Sequence, residues 1–210
     1  MVNNMNSSLP SRKSIRLKNY DYSQAGFYFI TICTQNREHL FGRIIVGATP
    51  RGCPSDSPKM VLNDAGKMIK TVWNEIPRFY NGIQTDEYVI MPNHFHGIVN
   101  IVCPLYEQNG QPQGVAPTGL SLPDIVHRFK TMTTKRYIDG VKQNILPPFN
   151  KRIWQRNYWE HIVRNENELN RIREYILQNP QKWKTDKLNG GSGNIVMESS
   201  VIYGDESWMV

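Results

Sequence analysis

Cysteine and histidine are both scarce in this chain. Its three cysteines, Cys33, Cys53 and Cys103, lie far apart and form no C-x-x-C pair. That excludes a disulfide framework and a zinc knuckle, and leaves them as packing or loop residues. No apolar run approaches the roughly 20 residues that cross a bilayer, so no membrane association is expected. The basic N-terminal stretch MVNNMNSSLPSRKSIRLKNY has no apolar segment behind it, and the expected location is cytoplasmic. Internal repeats are lacking too, which excludes a solenoid.

What is present is the composition of a folded protein. Apolar residues make up 39% and charged residues 20% of 210 positions, the balance of one globular domain with a sizeable core. The net charge is +7, and its distribution matters more than its size. Arg128, Lys130, Lys135, Arg136, Lys142, Lys151, Arg152, Arg156 and Arg164 face only Asp139 and Glu160 between positions 128 and 164, so this segment holds the whole excess. Such concentration is the footprint of a polyanion partner, although a solvated basic face would look the same.

The order of elements predicts α+β. GFYFITICTQN (26–36) reads as a buried strand, FGRIIVG as a second, and ATPRGCPSDSPK as a loop. A helix fits LNDAGKMIKTVWNEIPRFY, with Asn63 as N-cap and apolar residues three and four apart. DEYVIM and HFHGIVNIV are strands joined tightly at Pro92-Asn93. EQNGQPQGVAPTGL (107–120) reads as a long insertion. A second helix begins at Ser121 with Asp124 at capping-box spacing and stops at Gly140; a third has Asn165 and Glu168 in the capping positions and Pro180 as terminator. The expected architecture is an antiparallel sheet with helices packed mainly on one face. The domain spans 16–184, with insertions at about 46–59 and 107–120, a flexible N-terminus over 1–15 and a loose tail over 185–210.

The chemistry centres on VIMPNHFHGIVNIV. Side chains alternate along a strand, so His94 and His96 point to one face roughly 7 Å apart, while Phe95 points into the core. Two polar residues on a solvent face would give the same pattern. Two imidazoles leave a metal site incomplete, which is also what catalysis needs, because open positions admit substrate oxygens. A histidine-triad hydrolase would need a third histidine at position 98, which is Ile98.

DEYVIMPNHFHGIV followed by WQRNYWEHIVRNENELNRIREYILQNPQKW resembles the IS200/IS605-like single-tyrosine transposases of the HUH endonuclease class, and is most similar to their REP-associated branch. The similarity runs from about Arg16 to Trp183. It implies a ferredoxin-like fold, a divalent ion (Mg²⁺ or Mn²⁺) on His94 and His96, and Tyr175 as the nucleophile that attacks a phosphodiester in single-stranded DNA to leave a 5′-phosphotyrosine. The polar residue four positions after that tyrosine corresponds to Asn179. The resemblance admits monomer and homodimer alike.

The residues speak to the same roles. Tyr175 and Asn179, four apart, share one helix face, so the amide can join the metal site beside the phenol. Packing for the tyrosine and a plain C-cap for the asparagine, with Pro180 behind it, are the competing readings. Tyr158 is the rival nucleophile and lacks a polar partner four residues on. An imidazole-amide donor set also admits Zn²⁺ on ligand type. Arg128, Lys130, Lys135, Arg136, Lys151, Arg152 and Arg156, with Tyr158 and Trp159, suit single-stranded or hairpin DNA: cations for the backbone and rings for the bases. His127 and His161 fit structural or DNA-contacting roles rather than metal ligation. A hairpin-binding protein that keeps the fold without the reaction is the alternative function, and a metal-dependent hydrolase with no covalent intermediate is a further one.

Overall fold

Alternation in the most hydrophobic strand sets the architecture. In the computed structural model, which describes residues 16–46, 57–102 and 120–189, β1 (Gly26–Cys33) is the hub of a four-stranded antiparallel sheet with β4 (Ile83–Ile90), β5 (His94–Ile101) and β6 (Trp159–Ile162) in the order β4-β5-β1-β6. β1 and β5 are buried on both faces over most of their length. Tyr28, Ile30 and Ile32 point to one side, where they meet Trp73 of α1 (Asp64–Phe79), Phe95, and Phe129 of α2 (Leu122–Lys142). Phe29 and Ile98 point to the other and pack on Leu169, Ile172 and Ile176 of α3 (Glu166–Lys182). The α+β class and antiparallel sheet are as expected. Two helices share one face, and α3 lies across the opposite one.

The antiparallel register pairs Thr31 with His96 and Cys33 with His94. β4 and β5 are joined through Met91–Asn93, and Met91 N donates to the His94 carbonyl at 2.8 Å. A separate hairpin-like pair, β2 (Gly42–Ile45) with β3 (Lys59–Leu62), leads into α1. Asn63 caps that helix as predicted, its Oδ1 accepting from Gly66 N at 2.9 Å. The Asp124 carboxylate likewise accepts from Ser121 N at the start of α2.

Five details differ from the sequence reading. Lys59–Leu62 forms β3 rather than ending a loop, and Trp159–Ile162 forms the edge strand β6; both are only four residues long, with no room for a clear alternation. Gly140 does not stop α2, which continues to Lys142 with Leu146 folded over the glycine, and the chain turns instead at Asn144 with φ 58°. Pro180 does not terminate α3: the helix passes through it to Lys182 and runs into a 3-10 turn, Trp183–Thr185. Finally, the start of the expected tail is packed, because Leu188 is buried and its carbonyl accepts from Asn93 Nδ2 at 2.8 Å. The 1–15 segment, residues 47–56 and 103–119, which hold most of both expected insertions, and residues 190–210 lie outside the described residues.

Candidate active site

His94 and His96 project from β5 toward α3 and have no exposed surface, which removes the reading of a polar solvent face. Their rings stand 4.6 Å apart between centroids, at 69°. Each is anchored through Nδ1. The Thr31 hydroxyl, opposite on β1, lies 2.7 Å from His96 Nδ1. Asn93 Oδ1 lies 2.8 Å from His94 Nδ1; an amide oxygen only accepts, so His94 carries its proton on Nδ1 and presents a bare Nε2. Both Nε2 atoms are buried without a hydrogen-bond partner. Fixing one ring nitrogen while aiming the other inward is how proteins orient histidines that hold a metal.

The electrostatics keep the rings neutral. Burial is the main cause of a His94 pKa well below the ordinary range, with His96 and Arg37 adding to it and the nearby Asn179 amide opposing it. Burial alone brings His96 down to about 3. Neutral imidazoles keep a lone pair available at any ordinary pH.

α3 supplies the remaining groups. The Tyr175 ring is 5.5 Å from the His96 ring and 6.1 Å from Phe29, half-buried at the rim, with the Lys182 ammonium 5.7 Å from its centroid. One turn on, Asn179 is 2% exposed and its Oδ1 has no hydrogen-bond partner. Because α3 continues past Pro180, Asn179 lies inside the helix and is not its cap. A buried amide oxygen and two buried ring nitrogens, all without partners, are costly in an apolar setting. Their donor chemistry fits a divalent ion. Among the described residues no three His, Cys, Asp or Glu side chains form a ligand cluster by themselves, so the Asn179 amide is needed in the set.

The two candidate nucleophiles fall on opposite faces of the sheet. Tyr158 is buried in the α1-α2 core, where its hydroxyl accepts from Arg16 at 3.1 Å and burial pushes its pKa far up. Its neighbour Trp159 pairs with Thr31 on β1 and so sits on the His96 face.

The basic residues divide as well. Lys135, Lys151, Arg152 and Arg156 line a groove of about 650 Å³ between α2 and the segment before β6, together with His127. Lys130 borders the same groove, but its ammonium donates to the carbonyls of Gln155, Arg156 and Asn157 at 3.0, 3.3 and 3.1 Å. Its three donors are thus used in holding that segment, and burial lowers its pKa to about 8. Arg128 stacks over Tyr80 at 4.8 Å, and Arg136 pairs with Glu75 at 2.6 Å, both on the side of α2 that meets α1. His161 Nε2 lies 2.8 Å from Glu168 Oε1 at the start of α3.

Sequence reasoning missed Thr31, Asn93 as a histidine partner, and Asp186, whose Oδ2 is 3.8 Å from His94 Nε2. Asn93 carried a usable signal, adjacency to His94; Thr31 required the β1-β5 register, and Asp186 the path of the chain beyond α3.

No family model matches the chain. It is 40% identical over 195 residues to an uncharacterized protein of Haemophilus influenzae, covering 90% of this chain and 98% of that one. It is 23% identical over 176 residues, 79% of this chain and 77% of the other, to a second protein of that organism described as "Putative REP-associated tyrosine transposase". Among solved structures, a REP-associated tyrosine transposase bound to a REP hairpin is similar at 19% identity and a TM-score of 0.48, over 81% of this chain and 74% of that one. No helix among the described residues is long and apolar enough to cross a membrane.

Proposed function

We propose that the chain is a single-tyrosine transposase, a reading supported by a sequence relative described as REP-associated, and that it cuts and rejoins single-stranded DNA next to a hairpin through a covalent tyrosine intermediate. The observation that carries the reading is the placement of Tyr175 5.5 Å from one of two buried, neutral histidines whose inward nitrogens have no partner.

His94, His96 and Asn179 would hold Mg²⁺ or Mn²⁺, and the ion would polarise the scissile phosphate and stabilise the charge that builds on it. Everything else belongs to the chain. A phenol with a pKa near 10 is ionised to only about one part in a thousand at neutral pH, so Tyr175 needs a favourable setting. The Lys182 ammonium lies 5.7 Å from the centroid of its ring, a positive charge beside the attacking group and the phosphate it would meet. Half-exposure at the rim lets a strand reach the hydroxyl without opening the core.

In the forward step the Tyr175 phenol gives up its proton as its oxygen bonds to phosphorus, the bond from phosphorus to the 3′ oxygen breaks, and that oxygen takes up a proton and leaves as a 3′-hydroxyl, so that protons balance. The DNA 5′ end is then a phosphotyrosine ester. One phosphoester has replaced another, so attack by a 3′-hydroxyl reseals a strand with no outside source of energy. Lys135, Lys151, Arg152 and Arg156 offer cations for the backbone, and Trp159, on the His96 face, offers a ring for a base near the site.

The test uses the full chain, Mn²⁺ and a labelled single-stranded oligonucleotide carrying a hairpin. Wild type should form a denaturant-resistant adduct. Tyr175→Phe should bind the DNA and form none, and Tyr158→Phe should still react if it folds. An undiminished adduct in Tyr175→Phe would refute the nucleophile. A hairpin bound by wild type with no adduct under any divalent ion would point to the DNA-binding alternative.

A further inference from the structure

His94, His96 and Asn179 are all neutral, whereas Mg²⁺ and Mn²⁺ are hard ions commonly held through one or two carboxylates together with phosphate oxygens. We propose that Asp186 is the anionic member of this metal site, brought over the histidines by the turn that follows α3; the inference rests on the metal reading given above.

The carboxylate is 10% exposed, and Oδ2 lies 3.8 Å from His94 Nε2. Adjacent ligands of one such ion are about 3 Å apart, so His94, His96 and Asp186 do not form a closed ligand cluster as they stand, and Oδ2 would have to close on His94 by about 0.8 Å to share the ion. The other oxygen is committed to the turn, with Oδ1 accepting from Leu188 N at 2.7 Å. That bond fixes the carboxylate plane and leaves Oδ2 on the histidine side.

The turn itself is tied to the histidines. Asn93 uses both ends of its amide: Oδ1 meets His94 Nδ1 at 2.8 Å, and Nδ2 donates to the Leu188 carbonyl at 2.8 Å. The Trp183 ring lies tilted beside His94, 6.0 Å between centroids, and also meets His39 at 5.5 Å. One side chain therefore sets the positions of a histidine and of the segment bearing the carboxylate. A carboxylate held this way gives the site a negative charge and favours Mg²⁺ or Mn²⁺ over an ion that neutral nitrogen donors alone would select.

The experiment titrates Mn²⁺ into DNA-free, metal-stripped full-length protein and follows loss of the free-ion electron paramagnetic resonance signal. Asp186→Asn keeps an oxygen able to accept from Leu188 N, and its thermal midpoint in chelator checks that the turn survives. The expected result is one bound Mn²⁺ in wild type, affinity weakened about tenfold or more in Asp186→Asn, and loss of binding in His94→Ala. Wild-type affinity in Asp186→Asn, with binding lost in His94→Ala, overturns the role of Asp186 and leaves the histidine site standing. No binding by wild type overturns the metal reading and this inference with it. If Asp186→Asn lowers the midpoint in chelator, Asp186→Glu decides: recovered affinity supports the role, and affinity as weak as that of Asp186→Asn overturns it.

Discussion

Thr31 and His96 face each other across β1 and β5, and the threonine hydroxyl is the group that fixes the histidine's Nδ1, at 2.7 Å. The hydroxyl is engaged with the ring nitrogen that faces away from the proposed ion, so its role would be to hold the ring in orientation. Removing such an outer partner weakens metal binding or activity by about 10- to 100-fold in comparable sites.

Thr31→Val, which keeps the shape and deletes the hydroxyl, should therefore lower both Mn²⁺ affinity and adduct yield by that range while the fold is retained. Thr31→Ser, which restores a hydroxyl, should recover most of the loss. Equal defects in both variants would mean that packing on β1, rather than the hydrogen bond, is what the site requires.

The buried histidines make stability depend on pH in a defined direction. In the folded chain burial depresses both, His96 to about 3 and His94 well below its ordinary value, whereas each titrates near 6.5 when unfolded. Below that value the unfolded state takes up protons that the folded state refuses. Stability is then fully present above about pH 6.5 and is lost as the pH falls, by up to about 1.4 kcal/mol per unit for each histidine. Urea midpoints of the metal-free protein should decline from about pH 7 to about pH 5, and the decline should flatten when both histidines are replaced by glutamine. An identical slope in that variant would show that other groups control it.

Cations around the α2 groove should separate into two kinds. Lys130→Met leaves three carbonyls of residues 155–157 without their donor, and should cost about 1 to 3 kcal/mol of folding stability. Arg152→Ala and Arg156→Ala, at exposed positions, should leave stability unchanged and weaken hairpin binding. Each should also reduce the dependence of log affinity on log salt by about 0.7 to 0.9. Denaturation curves beside salt titrations would distinguish them, and a destabilised Arg152→Ala with wild-type DNA affinity would contradict the division.

Much of the site was legible because it is written in short-range patterns. Alternation placed His94 and His96 on one face, and four-residue spacing did the same for Tyr175 and Asn179. The Asn63 cap and the tight β4-β5 link follow from single residues. What escaped reading depends on distant partners. Tyr158 and Trp159 look equivalent in sequence, and only the pairing of β6 with β1 sends one into the core and the other to the histidine face. Lys130 looks like any other basic residue until the fold brings three carbonyls to it. Pro180 reads as a terminator from local rules, since it removes one helical hydrogen bond, yet α3 is anchored on the sheet by Leu169, Ile172 and Ile176 and continues regardless.

That continuity through Pro180 has a mechanical result. Tyr175 and Asn179 ride on one uninterrupted rod, and the turn carrying Asp186 is its direct extension, whereas both imidazoles are rooted in the sheet's interior strand. Inserting a single residue between Tyr175 and Asn179 would swing everything downstream by about 100° and strip the histidines of their amide and carboxylate neighbours at one stroke. The spacing along this rod is therefore as much a part of the machinery as the identity of the groups it bears.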